Sequence, residues 1–136
     1  MDLMDSLSIS AAGMRVQGER LRVISENIAN ADSVSEVRGG DPYRRKTVTF
    51  KNELDRQSGL DLVKVSKVGL DPSEFTRKYD PSSPAADNQG YVKLPNVNAL
   101  IEMNDMREAQ RSYEANINVV TATRRMIQRT IDILKA

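Results

Sequence analysis

Apolar side chains recur every seven residues along the last third of the chain. One heptad position falls on Ala99, Met106, Tyr113, Val120, Ile127 and Leu134, all apolar. The companion position, four residues on, falls on Met103, Gln110, Ile117, Arg124 and Ile131, three of them apolar. No proline or glycine follows Pro95. An uninterrupted pattern of about 39 residues predicts a helix of roughly 58 Å at 1.5 Å per residue. Periodicity of that length without internal stop signals points to a coiled coil or helical array.

The first 31 residues repeat the theme. Leu7, Met14, Leu21 and Ile28 are spaced by seven, with Leu3, Ile24 and Ala31 on the adjoining position and small residues, including Gly13 and Gly18, on the flanks. Each glycine lowers helix stability by roughly 1 kcal/mol against alanine, and close approach of a neighbouring backbone would offset that. The simplest partner for one narrow apolar seam is the other, which predicts an antiparallel pairing of the N- and C-terminal helices. Met4, Val16, Val23, Leu100, Ile101 and Val119 lie off these seams. A two-helix hairpin buries too little surface to stand alone, so apolar residues off the seam predict further neighbours and therefore assembly.

Residues 32–95 differ in kind. They hold all five prolines and five of the seven glycines. Short β-leaning runs, YRRKTVTF (43–50), LVKVSKV (62–68) and FTRKY (75–79), alternate with turn signals such as Asp71-Pro72, Asp80-Pro81 and Ser83-Pro84. The expected fold is mainly α: long terminal helices (1–31 and 96–136) pair as a coiled-coil-like inner domain. Residues 32–95 form a small middle segment, irregular or β-containing, with two or three short strands.

Composition narrows the chemistry. The 136 residues carry a net charge of +1 and include neither Cys nor His. Disulfides, thiol nucleophiles, imidazole acid–base catalysis and Cys/His zinc sites are therefore excluded. A near-neutral chain gives no electrostatic footprint for nucleic acid or an anionic membrane. The acidic start MDLMDSLSIS is not a secretory signal, and no run approaches the roughly 20 apolar residues of a membrane span. The carboxylate pairs Asp55/Asp61 and Glu102/Asp105 have no metal ligands or cofactor loop beside them, so the expectation is a protein that is not an enzyme and has no cofactor.

Two asparagine clusters stand out, Asn27-Ile28-Ala29-Asn30 near the end of the first helix and Asn116-Ile117-Asn118 in the middle of the last. Capping is one reading of the first, beside a packed contact, but does not account for the second, which lies mid-helix. Amides beside apolar residues suit a packed contact in which each buried amide finds partners. Asn116→Leu is accordingly expected to spare expression and impair assembly. The basic run Pro42-Tyr43-Arg44-Arg45-Lys46 is read as a solvated strand face rather than a phosphate-binding patch, and Arg45→Ala is expected to be mild. The six methionines (Met1, Met4, Met14, Met103, Met106, Met126) read as core filler.

These residues carry a resemblance. NIAN at 27–30 resembles the Asn-hydrophobic-Ala-Asn signature of flagellar axial proteins, the rod, hook and hook-associated families. DPSEFTRKYDPSSPAADNQGYVKLPNVN (71–98) followed by EMNDMREAQRSYEAN (102–116) is more specific, and is similar to the proximal rod subunits over nearly the whole chain. The matching positions are Asn27, Ile28, Ala29 and Asn30, then Asp80, Pro81, Gly90, Tyr91, Pro95, Asn96 and Val97, then Met103, Met106, Ser112, Tyr113, Ala115 and Asn116. Ser33 stands where many axial proteins have Thr, and Ser83 where relatives often carry His.

The resemblance implies a non-enzymatic structural subunit of a helical tube, the periplasm-spanning rod that transmits torque around an export channel. Its partners would be copies of itself, the rod proteins FlgB, FlgF, FlgG and FliE, and the flagellar type III export apparatus, which passes it without a cleaved signal peptide. Neither nucleic acid binding nor direct membrane insertion is implied. Seam and motif together give the expected subunit interface: Leu7, Met14, Leu21, Asn27, Ile28, Asn30, Met103, Met106, Tyr113, Asn116, Ile117, Val120, Ile127 and Ile131. Asp80, Pro81, Gly90, Tyr91, Pro95 and Asn96 form a loop motif. The rival reading is a cytoplasmic helical adaptor or coiled-coil regulator.

Overall fold

A computed structural model describes residues 2–135; Met1, counted above among the core methionines, and Ala136 lie outside it. Helix α1 spans Leu3–Ala29 and α2 spans Ala99–Lys135. Between them come β1 (Lys46–Asp55), β2 (Leu60–Leu70), β3 (Thr76–Tyr79) and β4 (Tyr91–Leu94). Two long helices with two small two-stranded sheets make the fold mainly α with a β-containing middle. No described helix is long and apolar enough to cross a membrane.

Local chemistry sets the helix ends. Asp2 caps α1: its carboxylate accepts the Leu3 N–H, while its own N–H donates to Asp5, the reciprocal half of a capping box. The Asn98 side chain, three residues after buried Pro95, accepts the N–H groups of Leu100 and Ile101 and caps the start of α2. At the end of α1, the Asn30 amide donates to the Glu26 carbonyl, and the Asn30 carbonyl accepts from Ser33. Asn30 is thus a C-terminal cap.

β1 and β2 pair across a connection of residues 56–59, too short for a parallel crossover. Gly59 turns the chain with φ +69°, and Asp55 accepts hydrogen bonds from Gln57 and Ser58 within the turn. β3 and β4 are antiparallel, with Thr76 opposite Leu94 and Tyr79 opposite Tyr91. YVKL as a strand was not expected, and β1 runs five residues past the predicted end.

The chain divides into two compact units. The first comprises residues 1–21, 49–67 and 107–136. In it Asn116 lies against Gly13 and Arg20 pairs with Glu108, so the helix segments run antiparallel. A Cβ on Gly13 would sit 2.9 Å from the Asn116 amide nitrogen. Leu62 of β2 packs beside Ala12 and Val16, around a cleft of about 200 Å³. The second unit comprises residues 22–48 and 68–106. Its apolar cluster is small, formed by Ala85 and Ala86 of the 80–90 loop with Val92 of β4.

The expected seams are displaced. Leu7, Met14, Leu21 and Ile28 are only half-buried, whereas Ser10, Ala12, Val16, Val23, Ile24 and Asn27 are the buried positions of α1. Val16 and Val23 had been placed off the seam. On α2 the buried line is Glu102, Ala109 and Thr123. Ala99, Met106, Tyr113, Val120 and Ile127 flank it half-buried, and Leu134 is 81% exposed. In the first unit small side chains (Ser10, Ala12, Ala109 and Thr123) take the buried line, whereas in the second it carries Val23, Ile24, Asn27 and Glu102. Met4, Met103 and Met126 are exposed rather than core.

Candidate functional site: a buried polar network

The most closely enclosed large side chains of the second unit include two that a core normally excludes. Glu102 is 0% exposed and Asn27 1%. Burying a carboxylate is tolerable only when it is paired and hydrogen-bonded. The folding of residues 43–46 supplies the partners. Arg45 Nε donates to Glu102 Oε1, and Asn27 Nδ2 donates to Oε2 at 3.2 Å.

Asn27 fills all four of its hydrogen-bonding positions. Nδ2 also donates to the Lys46 carbonyl at 2.9 Å, while Oδ1 accepts the Lys46 N–H at 2.9 Å and the Tyr43 hydroxyl at 2.8 Å. One side-chain amide therefore exchanges a donor and an acceptor with one peptide group, standing in for a strand neighbour where β1 begins. Burial pushes the Tyr43 phenol up.

Arg45 joins the remaining segments. Its N–H donates to Asn96 Oδ1 at 2.8 Å, and its carbonyl accepts the Asp71 N–H at 2.8 Å. The guanidinium also reaches Asp71 Oδ2 at 3.4 Å and Asp105 at 3.9 Å. Burial opposes its charge most strongly, but the hydrogen bonds and charges of Glu102 and Asp71 together outweigh it and its pKa is raised. Asn96 Nδ2 donates to the carbonyls of Asp71 and Ser73. Arg44 Nη1 donates to the same two carbonyls, its guanidinium 4.2 Å above the Phe75 ring. The Asp71 carboxyl is held below its usual range by hydrogen bonds from Ser73 and by Arg45. Lys46 binds Glu26 at 2.8 Å, which also pairs with Arg22 and has a lowered pKa.

Tyr43-Arg44-Arg45-Lys46 is therefore not a solvated face. All four side chains bind within the chain, and Arg45→Ala, expected above to be mild, would strand a buried carboxylate. Asn27, Asn30 and Asn116 also have intrachain roles: connector, cap, and spacer against Gly13. The Asn116 amide donates to its own helix at Ser112.

The loop motif holds the 80–90 turn together. Asp80 N–H donates to the Gly90 carbonyl, and its carboxylate accepts from Ser82. Gly90 has φ +84°, and a Cβ there would lie 2.9 Å from the Tyr79 ring and 3.2 Å from Pro81. Tyr79 and Tyr91 meet edge to face at 5.2 Å. Ser83, where relatives often carry His, accepts the Ala85 N–H within the turn.

Of the expected interface residues, Leu7, Met14, Leu21, Ile28, Met106, Tyr113, Val120 and Ile127 are half-buried. Met103, Ile117 and Ile131 are exposed. Sequence reasoning missed Tyr43, Arg45, Lys46, Asp71 and Glu102 as a group. Their one advance signal was Arg and Lys beside a β-run in a chain whose field gives them no external partner. Among the described residues no group of three or more His, Cys, Asp or Glu is placed to hold a metal ion.

The polar network joins the chain's own segments, and α2 carries exposed apolar residues along its length. Comparison with known proteins gives the class. Residues 88–133 match the family described as "Flagellar basal body rod FlgEFG protein C-terminal". Over 98% of its length the chain is 58% identical to the flagellar basal-body rod protein FlgC of Agrobacterium fabrum, covering 99% of that protein. It is 37% identical to the FlgC proteins of Bacillus subtilis (99% of this chain, 100% of the relative) and Salmonella typhimurium (98% of each). The chain belongs to the FlgC family of flagellar basal-body rod proteins.

Proposed function

We propose that this chain is a non-enzymatic structural subunit of the flagellar rod. Contacts between subunits that do not close into a ring build a helical tube, which transmits torque and surrounds the export channel. The observation that carries this reading is the surface of α2. Leu100, Ile101, Met103, Ile117, Val119, Met126, Ile131, Ile133 and Leu134 are all exposed, Leu100 at 74%. Apolar exposure of this extent marks an interaction surface.

In this reading the terminal helices form a coiled-coil-like inner domain (1–31 with 96–136), and residues 32–95 elaborate it outward. Met103, Ile117 and Ile131, with the half-buried seam of Leu7, Met14, Leu21, Ile28, Met106, Tyr113, Val120 and Ile127, meet neighbouring subunits. Those neighbours are copies of the chain and the rod proteins FlgB, FlgF, FlgG and FliE. Export runs through the flagellar type III apparatus without a cleaved signal peptide.

The test uses the absence of native cysteine. Ile131→Cys, introduced into the source bacterium and labelled with a thiol-directed photo-crosslinker, should yield crosslinked species in purified hook–basal bodies and none in the unassembled chain. Reproducible absence of the chain from those basal bodies would revive the helical adaptor. Presence without crosslinking would displace the interface from this face.

A further inference from the structure

We propose that the Asn27–Arg45–Glu102 network is a register lock: it selects one alignment of the helix segments in its unit and adds little net stability. The apolar positions alone do not make that selection. Sliding α2 by seven residues replaces Ala99 with Met106 and Met106 with Tyr113, so one apolar side chain takes the place of another. Heptad seams are degenerate in this way, and a buried polar residue is what breaks the degeneracy. Along Glu102, Ala109, Asn116 and Thr123 only one position carries a carboxylate.

A slid alignment would leave Arg45 Nε and one Asn27 N–H without acceptors, in a site where both are now satisfied. In the observed alignment nothing in the network is unpaired. The lock's cost is the desolvation of Glu102, which is fully buried, and of Arg45, whose side chain is 23% exposed. That cost cancels most of the attraction, which is why well-packed apolar replacements of buried ion pairs are often neutral in stability.

The experiment compares Arg45→Met, the double variant Arg45→Met/Glu102→Met, and Glu102→Gln in the full-length unassembled chain. Urea unfolding reads stability, and the methyl resonances of Val23, buried in the same unit, read alignment. Arg45→Met should lower the urea midpoint markedly. The double variant should return it to within about a tenth of the wild-type value while the Val23 methyls split into more than one set. Glu102→Gln, which keeps the shape and one acceptor oxygen for Arg45 but turns a donor toward the Asn27 amide, should lower the midpoint and retain a single set. A double variant that fails to fold, or stays as weak as the single, would show that the pair supplies net stability and overturn the proposal. A double variant with a recovered midpoint and one sharp set would overturn it too, as would split signals in Glu102→Gln.

Discussion

The two compact units draw on the same pair of helices and are organised by opposite means. In the unit built from residues 22–48 and 68–106, the central side chains are an amide, a guanidinium and a carboxylate. Every hydrogen-bonding position of Asn27 is filled within the chain. In the unit built from residues 1–21, 49–67 and 107–136, the buried line is small: Ser10, Ala12, Val16, Ala109 and Thr123. Large apolar residues there, Ile131 and Leu134 among them, face outward. The centre of the polar unit is satisfied within one chain. Exposed apolar residues of α2 lie in both units, Leu100, Ile101 and Met103 in the polar one and Ile117, Val119, Met126, Ile131, Ile133 and Leu134 in the other, so it is the hydrogen-bonded polar centre that distinguishes the two.

The largest expected effect strikes the polar unit. Arg45→Ala leaves Glu102 buried and uncompensated and should lower unfolding free energy by about 3 kcal/mol, the lower end for a broken buried pair. Urea denaturation of the full chain checks it. Asn27→Ala orphans the Lys46 N–H and the Tyr43 hydroxyl and should cost about 2 kcal/mol, with faster amide exchange at Lys46 as its signature.

The two helix glycines give a sharper contrast within the other unit. Nothing lies within 4 Å of a Cβ on Gly18, so Gly18→Ala should stabilise the unassembled chain by up to about 1 kcal/mol. Gly13→Ala meets Asn116 and should forfeit that gain. Adding Asn116→Ala should restore it. Equal thermal midpoints for the two single alanine variants would remove Asn116 as the spacer.

The smallest effect concerns pH. Glu53, paired with Lys51 and Lys64, is lowered to about 2. A depressed folded-state pKa contributes stability that is present above the unfolded value, near 4.5, and lost as pH falls through the folded one. With no histidine in the chain, the midpoint of thermal unfolding should stay flat from about pH 6 to 9. It should then decline from about pH 4.5 toward 2.

Much of the fold was legible in advance. Both long helices and three of the four strands follow from period, turn residues and β-branched runs. YVKL escaped because its identity as a strand depends on pairing with TRKY, which no local pattern encodes. The apolar seams were read correctly as periodic and wrongly as central. Heptad spacing reports which residues share a face, but it does not tell how closely two backbones approach. Gly13 against Asn116 decides that. Glu102 escaped for a related reason, since a carboxylate one position before Met103 looks solvent-facing until Arg45, 57 residues earlier, folds onto it.

The polar network should hold residues 22–48 and 68–106 together in a single chain, while the end of α2 should become fully ordered only against neighbours. Residue-resolved amide hydrogen exchange on the unassembled protein reads both at once. Strong protection is expected at Arg45 and Lys46, whose N–H groups are bound by Asn96 and Asn27, with rapid exchange over residues 127–135. Rapid exchange at Arg45 and Lys46, with protection along the end of α2, would contradict both.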